Sequence, residues 1–122
     1  MTAEELKART KQFALRVIKL VAAIPKSIEG RAIANQLVVR CGTSVAANYR
    51  AACRARSKIE FVAKMGVVLE EADETQPWLE LIIEAKLMAA KRVQPLLDEA
   101  SELVAIFVAS SKSASSNLKS AI

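Results

Sequence analysis

A cluster of cationic side chains lies between residues 41 and 61, in an alanine-rich stretch that reads CGTSVAANYRAACRARSKIEF. Its members are Arg50, Arg54, Arg56 and Lys58. Such groups can bind phosphates, pair with carboxylates or form a solvated helix face. Arg50 and Arg54 are four residues apart and share a helix face, so we expect them to face carboxylates of the next helix or of a neighbouring subunit. Arg56 and Lys58 are expected to meet solvent or phosphate.

Four carboxylates lie close together further along the chain, at Glu70, Glu71, Asp73 and Glu74. A metal site needs ligands that converge from several helices, and the sequence has neither a histidine nor a second acidic cluster to complete one. Paired carboxylates can also catalyse acid–base reactions, but a small bundle with an alanine-rich core offers no obvious cleft. Ion pairs with Arg40, Arg50 or Arg54 are favoured. We therefore expect no metal, no cofactor and no enzyme activity.

A polar stripe of residues spaced four apart precedes the cationic cluster, and it consists of Gln36, Arg40, Ser44 and Asn48. An apolar stripe lies beside it and consists of Ile33, Leu37, Cys41, Val45 and Tyr49. Desolvated polar groups need hydrogen-bond partners, so the favoured interpretation is a polar seam that sets the register between two helices. The alternative is a surface that contacts a ligand or nucleic acid.

Four helices are predicted from apolar residues that recur at helical spacing, near residues 3–24, 30–54, 58–89 and 95–112. Pro25 ends the first helix, Pro95 opens the last, and Ser57 with Glu60 forms a capping box at the start of the third. We predict an all-α protein, an antiparallel up-and-down four-helix bundle over residues 1–112. A Ser-rich tail over residues 113–122 is expected to fray.

Length and composition agree with one small domain, because 122 residues with only three Gly and three Pro favour a few long helices. The N-terminus is charged from residue 4 onward, which argues against a secretory signal peptide. The longest uncharged runs are too short to span a bilayer. We therefore expect a cytoplasmic protein without a membrane partner.

Charge is divided unevenly along the chain. Residues 1–56 carry eleven cations and three anions, whereas residues 57–90 carry three cations and seven anions. Oppositely charged regions in one small domain favour pairing between copies, so we expect a homo-oligomer. The cations expected to contact nucleic acid are Lys7, Lys11, Arg16, Lys19, Arg56, Lys58, Lys91 and Arg92. Because no aromatic residues are interleaved with them, such binding would read the phosphate backbone and not the bases.

The segment from Gln36 to Leu81 resembles the 23S ribosomal RNA intervening-sequence protein family. The residues that carry the resemblance are Gln36, Arg40, Ser44, Asn48, Arg54, Ser57, Phe61 and the later stretch WLEL. The resemblance implies a helical bundle that assembles as a ring, typically a homopentamer. It also implies similarity to the basic, nucleic-acid-associated accessory proteins of diversity-generating retroelements. Where many relatives have an acidic residue after the asparagine, this chain reads Tyr49, Arg50, Ala51, so a role that depends on that acid is not carried over.

Together these observations favour a non-enzymatic, ring-forming scaffold with weak, sequence-independent binding of RNA or DNA. The alternative is a structural module that recruits an unknown protein partner to the ring without binding nucleic acid. A charged external surface would favour the first interpretation. A deep pocket within one protomer would instead indicate an enzyme.

Overall fold

The structure is a computed structural model that describes residues 1–121, except for the side chains of residues 38, 39 and 117–121. Within these residues it contains five α-helices, one π-helical segment and no strand. In chain order the elements are α1 (Ala3–Ala23), α2 (Ile28–Asn35), the π segment (Gln36–Cys41), α3 (Gly42–Cys53), α4 (Lys58–Glu84) and α5 (Ala90–Ala121). The predicted all-α class is confirmed.

The helices form a bundle in which α1 and α4 each pack against both α3 and α5. α1 and α4 therefore occupy diagonally opposite corners. The π segment and α3 together run antiparallel to α4, since Cys41 of the π segment contacts Glu74 and Asn48 of α3 contacts Glu71. The core between the helices is built from large, fully buried side chains, among them Phe13, Leu37, Met65, Leu79, Leu103 and Phe107.

Three helices begin at a side-chain cap. The hydroxyl oxygens of Thr2, Ser27 and Ser57 each accept a hydrogen bond from the backbone N–H three residues later, over 3.0 to 3.1 Å. Each cap satisfies a backbone donor that the first helical turn would otherwise leave without a partner. The cap predicted at Ser57 is confirmed, and it fixes where the chain turns from α3 into α4.

The second predicted helix is not a single α-helix, because the π segment lies between α2 and α3. The backbone N–H of Gly42 donates to the carbonyl of Leu37, five residues earlier. In an α-helix of 3.6 residues per turn, a stripe spaced by four drifts around the axis by about 40° at each step. The wider π turn offsets part of this drift. All five members of the apolar stripe from Ile33 to Tyr49 are consequently buried.

The boundaries predicted around the last connection were wrong. α4 ends at Glu84 and not near residue 89, and α5 begins at Ala90, so Pro95 lies inside α5 and does not open it. α5 also continues past residue 112 to Ala121, because serine is only mildly unfavourable in a helix. The expected fraying of the Ser-rich end stays a prediction, and residue 122 lies outside the described residues.

α4 ends in a Schellman motif that could not be predicted from the residue types at this end of the helix. The N–H of Lys86 donates to the carbonyl of Ile83, and the N–H of Leu87 donates to that of Ile82, both over 3.0 Å. Lys86 has a φ of 60°, in the left-handed region that such a motif usually fills with glycine. Because this position holds a lysine and not a glycine, the end of α4 cannot be recognised from the usual C-terminal glycine.

The replacement Lys86→Gly should therefore raise the free energy of unfolding by about 1 kcal/mol, because glycine adopts a positive φ without the steric cost of a Cβ. Urea unfolding followed by circular dichroism measures the change. Ala85→Gly is the matched control, since Ala85 has an ordinary φ of −80°. It should lower stability, and a gain of equal size in both variants would contradict the argument.

Candidate functional site

A basic groove lies between α1 and α3. Its cavity has a volume of about 690 Å³ and is flanked by Lys7 and Lys11 of α1 and by Arg50 and Arg54 at the end of α3. The side chains between these cations are small, namely Ala8, Thr43, Ala46 and Ala47. They leave an open cleft where larger side chains would fill the space between the helices.

This cleft continues onto the first turns of α4. A second cavity of about 460 Å³ shares Ala47, Arg50 and Arg54 with the first and extends to Arg56 and Lys64. We call the combined surface the α3 groove, and its cations are Lys7, Lys11, Arg50, Arg54, Arg56 and Lys64. Glu4 and Glu60 are the carboxylates that line it. The groove therefore carries an excess of positive charge at one end of the bundle.

The arginines of the α3 groove are exposed and have no ion-pair partner among the described residues. Lys7 pairs with Glu4 over 3.0 Å, but no described carboxylate lies within ion-pair distance of Arg50 or Arg54. The expected pairing of Arg40, Arg50 and Arg54 with carboxylates of the next helix is thus absent within the described part of the chain. Pairing across a subunit boundary stays a prediction. Within the protomer Arg50 and Arg54 are exposed to solvent.

A second cluster of cations lies between α1 and α5. Arg16, Lys19 and Arg92 surround a cavity of about 260 Å³ with Leu20 and Leu96 at its side. Six of the eight cations predicted to bind nucleic acid line one of these two surfaces. Lys7, Lys11 and Arg56 belong to the α3 groove, and Arg16, Lys19 and Arg92 to this cluster.

The remaining two predicted cations, Lys58 and Lys91, are exposed and line neither of these cavities. Lys64 lines the α3 groove but was not among the predicted residues. The sequence could have predicted this position. The chain reverses direction near Ser57, and Arg50 and Lys64 each lie seven residues from that serine, so an antiparallel pair of helices brings them to the same end of the bundle.

The polar stripe forms a seam with α4 over part of its length. The Asn48 Nδ2 donates to Glu71 Oε1 over 2.6 Å and to the Ser44 carbonyl over 3.1 Å. Burial raises the pKa of Glu71, and hydrogen bonds from Ser44 and Asn48 partly oppose that effect. Gln36 is half-buried, whereas Arg40 is exposed. The seam thus joins Ser44 and Asn48 to Glu71.

The rest of the acidic cluster lies at the protein surface. Glu70, Asp73 and Glu74 are exposed, although Glu74 Oε2 lies 3.9 Å from the Cys41 sulfur. Burial, helped by the charge of Glu74, raises the pKa of the Cys41 thiol to about 11. The thiol is therefore protonated at neutral pH, and a thiol is a poor nucleophile. In the described part of the chain, no three Cys, Asp or Glu side chains converge as a metal site would require.

Tyr49 is a core residue and not part of the basic surface. Its side chain is buried, and its ring centroid lies 5.9 Å from that of Phe107 at a tilted angle. Burial raises the pKa of its hydroxyl. The described lining of the α3 groove contains no aromatic side chain on which a base could stack.

Arg9 of α1 forms a bidentate ion pair with Glu99 of α5, 90 residues later in the sequence. Arg9 Nε and Nη2 donate to the two carboxylate oxygens of Glu99, each over 2.7 Å. The Arg9 and Glu99 side chains are only 26% and 14% exposed. The guanidinium holds the pKa of Glu99 below its ordinary value, chiefly through this hydrogen bond.

The replacement Glu99→Gln should lower the free energy of unfolding at pH 7 by about 2 kcal/mol, because it leaves Arg9 without its bidentate partner. A carboxylate whose pKa is lowered by folding stabilises the folded protein at every pH above the pKa that the group has in the unfolded chain, which is near 4.5. That contribution is lost as the pH falls through the lower folded-state pKa. Thermal unfolding at pH 7 and pH 3 should therefore show a smaller difference between the two proteins at pH 3.

Glu102→Gln is the matched control for this pair, because its carboxylate lies 3.4 Å from Arg9 but its side chain is 68% exposed. Its replacement should cost less than about 0.5 kcal/mol. Equal losses from the two replacements would mean that the Arg9–Glu99 contact contributes nothing specific.

No helix in the described part of the chain combines the length and the apolar character needed to cross a membrane.

Comparison with known proteins gives two matches of interest. A family model described as 23S rRNA-intervening sequence protein matches residues 4–109. The chain is also similar to a crystal structure of a protein of unknown function from the S23 ribosomal protein family of Bacteroides thetaiotaomicron. The two share 28% identity with a TM-score of 0.83, over 92% of this chain and 99% of that one. No curated protein matches the chain.

Proposed function

This chain belongs to the 23S rRNA-intervening sequence protein family, and from that premise we propose that it binds nucleic acid through the phosphate backbone at the α3 groove. The observation that supports the proposal is the convergence of six cations on one open groove, from α1, the end of α3, the connection that follows it and the start of α4. Arginine and lysine at this density create a positive potential that attracts polyanions.

We propose RNA as the biological partner. The family description names a 23S rRNA intervening sequence, and the similar crystal structure comes from a family named for a ribosomal protein. Binding is expected to be indifferent to base sequence, because the cations contact phosphates and the described groove lining offers no aromatic platform. DNA of the same length and strandedness should therefore bind with similar affinity.

The protein acts in this proposal as a scaffold and not as an enzyme. Its buried thiol at Cys41 is protonated at neutral pH, and Glu71 is held in the polar seam by Ser44 and Asn48. Several copies assemble into a ring, with a homopentamer favoured by the family resemblance. A ring repeats the α3 groove around its circumference, and repeated weak sites strengthen binding to a long polyanion.

Fluorescence anisotropy with labelled 20-nucleotide RNA, single- and double-stranded, tests this function at salt concentrations from 50 to 200 mM. If four groove cations each neutralise one phosphate of a single strand, the slope of log affinity against log salt is about −3. Affinity should then fall roughly 50-fold over that range. Two unrelated sequences should bind alike. An absence of binding at 50 mM salt, or binding that ignores salt, would rule out the proposal.

A further inference from the structure

Two corners of the bundle expose aliphatic side chains to solvent. On α1, Leu15 and Ile18 are 52% and 48% exposed. On α4, the exposed aliphatic side chains are Ile59, Val67 and Leu81 at 68%, 45% and 43%. We call these surfaces the α1 corner and the α4 corner. They lie diagonally opposite each other, since both helices pack against α3 and α5.

The two corners carry opposite charge. Between residues 6 and 23 of α1 there is no carboxylate, and Lys11 and Lys19 flank Leu15 and Ile18 on the exposed side. Between residues 65 and 85 there is no cation, and Glu70, Asp73 and Glu74 lie exposed between Val67 and Leu81. A positive apolar strip and a negative apolar strip thus face away from the bundle on opposite sides.

The α4 corner also contains a glycine, Gly66, that no packing contact within the protomer requires. Gly66 lies inside α4, and a Cβ added there would meet no atom within 4 Å beyond its chain neighbours and the backbone of its own helix. A glycine inside an exposed helix costs about 1 kcal/mol relative to alanine. Together with the exposed Ala63 one turn earlier, Gly66 leaves a shallow place on the helix surface where another helix can approach closely.

We propose that the α1 corner of one copy docks on the α4 corner of the next, an inference that deepens the proposed ring assembly and rests on it. A symmetric contact through either corner would bring like charges together, whereas a head-to-tail contact pairs lysines with carboxylates and covers both aliphatic strips. A head-to-tail contact repeats from copy to copy and closes into a ring when its rotation permits. A second copy of this chain is the partner that the charges fit.

This contact leaves the phosphate-binding arginines accessible. Arg50 and Arg54 lie at the C-terminal end of α3, and α3 lies between the two corners along the bundle perimeter. Each copy in the assembly can therefore present its α3 groove while its corners are occupied. Lys11 lines the groove and flanks the α1 corner, so it is the residue through which assembly and nucleic-acid binding would influence each other.

Size-exclusion chromatography with light scattering at micromolar concentration tests the contact. Lys11→Glu/Lys19→Glu should place like charges against the α4 corner and weaken assembly by roughly 100-fold, as should Glu70→Lys/Glu74→Lys. The chain that carries all four replacements restores opposite charges across the contact and should recover the oligomer. Lys26→Glu/Arg31→Glu reverses two exposed charges away from both corners and should leave the oligomer intact.

The outcomes separate this inference from the ring itself. If the unaltered chain forms an oligomer that neither corner variant weakens, the ring assembly stands and the corner contact is wrong. If the unaltered chain is a monomer, both are wrong, while phosphate binding by Arg50 and Arg54 can still be measured. Loss of the oligomer in both corner variants without recovery in the fourfold variant would also overturn the head-to-tail pairing.

Discussion

The replacement Gly42→Ala is expected to lower the free energy of unfolding by about 2 kcal/mol. A Cβ at residue 42 would lie 2.6 and 2.7 Å from the two methyl carbons of Val17 and 2.9 Å from its Cβ. Valine is stiff at χ1, so neither methyl group can turn away without displacing the other. The packing strain of about 3 kcal/mol exceeds the roughly 1 kcal/mol that alanine gains over glycine in a helix.

The same substitution at Gly66 provides the matched control. There the added methyl group meets nothing within 4 Å, so Gly66→Ala should raise the stability of the protomer by about 1 kcal/mol. Gly42→Ala should cost less in a Val17→Ala background than in the unaltered chain, because Val17→Ala removes the two clashing methyl groups. Urea unfolding of all variants at one protein concentration measures these differences. A gain in stability for Gly42→Ala would refute the close approach of α1 and α3.

The parts of the fold that the sequence predicted are those encoded locally. The apolar periodicity of α1 and the cap at Ser57 depend on residues within one or two turns, so they can be recognised without knowledge of the neighbouring helices. The end of α4 was misplaced for a local reason as well. Lys86 occupies a left-handed position that glycine normally marks, so the usual stop signal is absent.

The π segment could have been predicted from its spacing. Four steps of four residues from Ile33 to Tyr49 would rotate a buried stripe by about 160° around a regular α-helix. A stripe that stays buried over that length requires a wider turn, and the π segment from Gln36 to Cys41 provides one. The strict spacing is visible in the sequence, although the single α-helix predicted over this region did not account for it.

The site was only partly predictable, because charge partners depend on which helices become neighbours. Arg9 meets Glu99 across 90 residues, and no local pattern distinguishes Arg9 from the solvated cations of α1. Arg50 and Arg54 were expected to face carboxylates because both carboxylates and arginines occur at helical spacing. In the structure these arginines line an open groove together with Lys7 and Lys11 of α1, and no described carboxylate lies within ion-pair distance of them.

Reversing the charges of Arg50 and Arg54, in Arg50→Glu/Arg54→Glu, is expected to weaken binding of single-stranded RNA about 100-fold at 50 mM salt. Each phosphate that the variant no longer neutralises lowers the affinity nearly tenfold at that salt concentration, because its counterions stay bound to the RNA. The new carboxylates add repulsion. The slope of log affinity against log salt should also become shallower by about 1.4, which corresponds to two phosphates. Anisotropy titrations at four salt concentrations provide both quantities.

The control for this variant is Lys26→Glu/Arg31→Glu, which changes the net charge of +5 by the same four units at exposed positions outside the α3 groove. If binding depends on a defined groove, the control should lose less than about fivefold and keep its slope. If only the overall charge matters, both variants should lose RNA affinity equally.

Because Arg50 and Arg54 lie away from both corners, each variant should also keep the oligomeric state of the unaltered chain. A loss of affinity accompanied by dissociation would mean that the arginines act through assembly and not by binding phosphate.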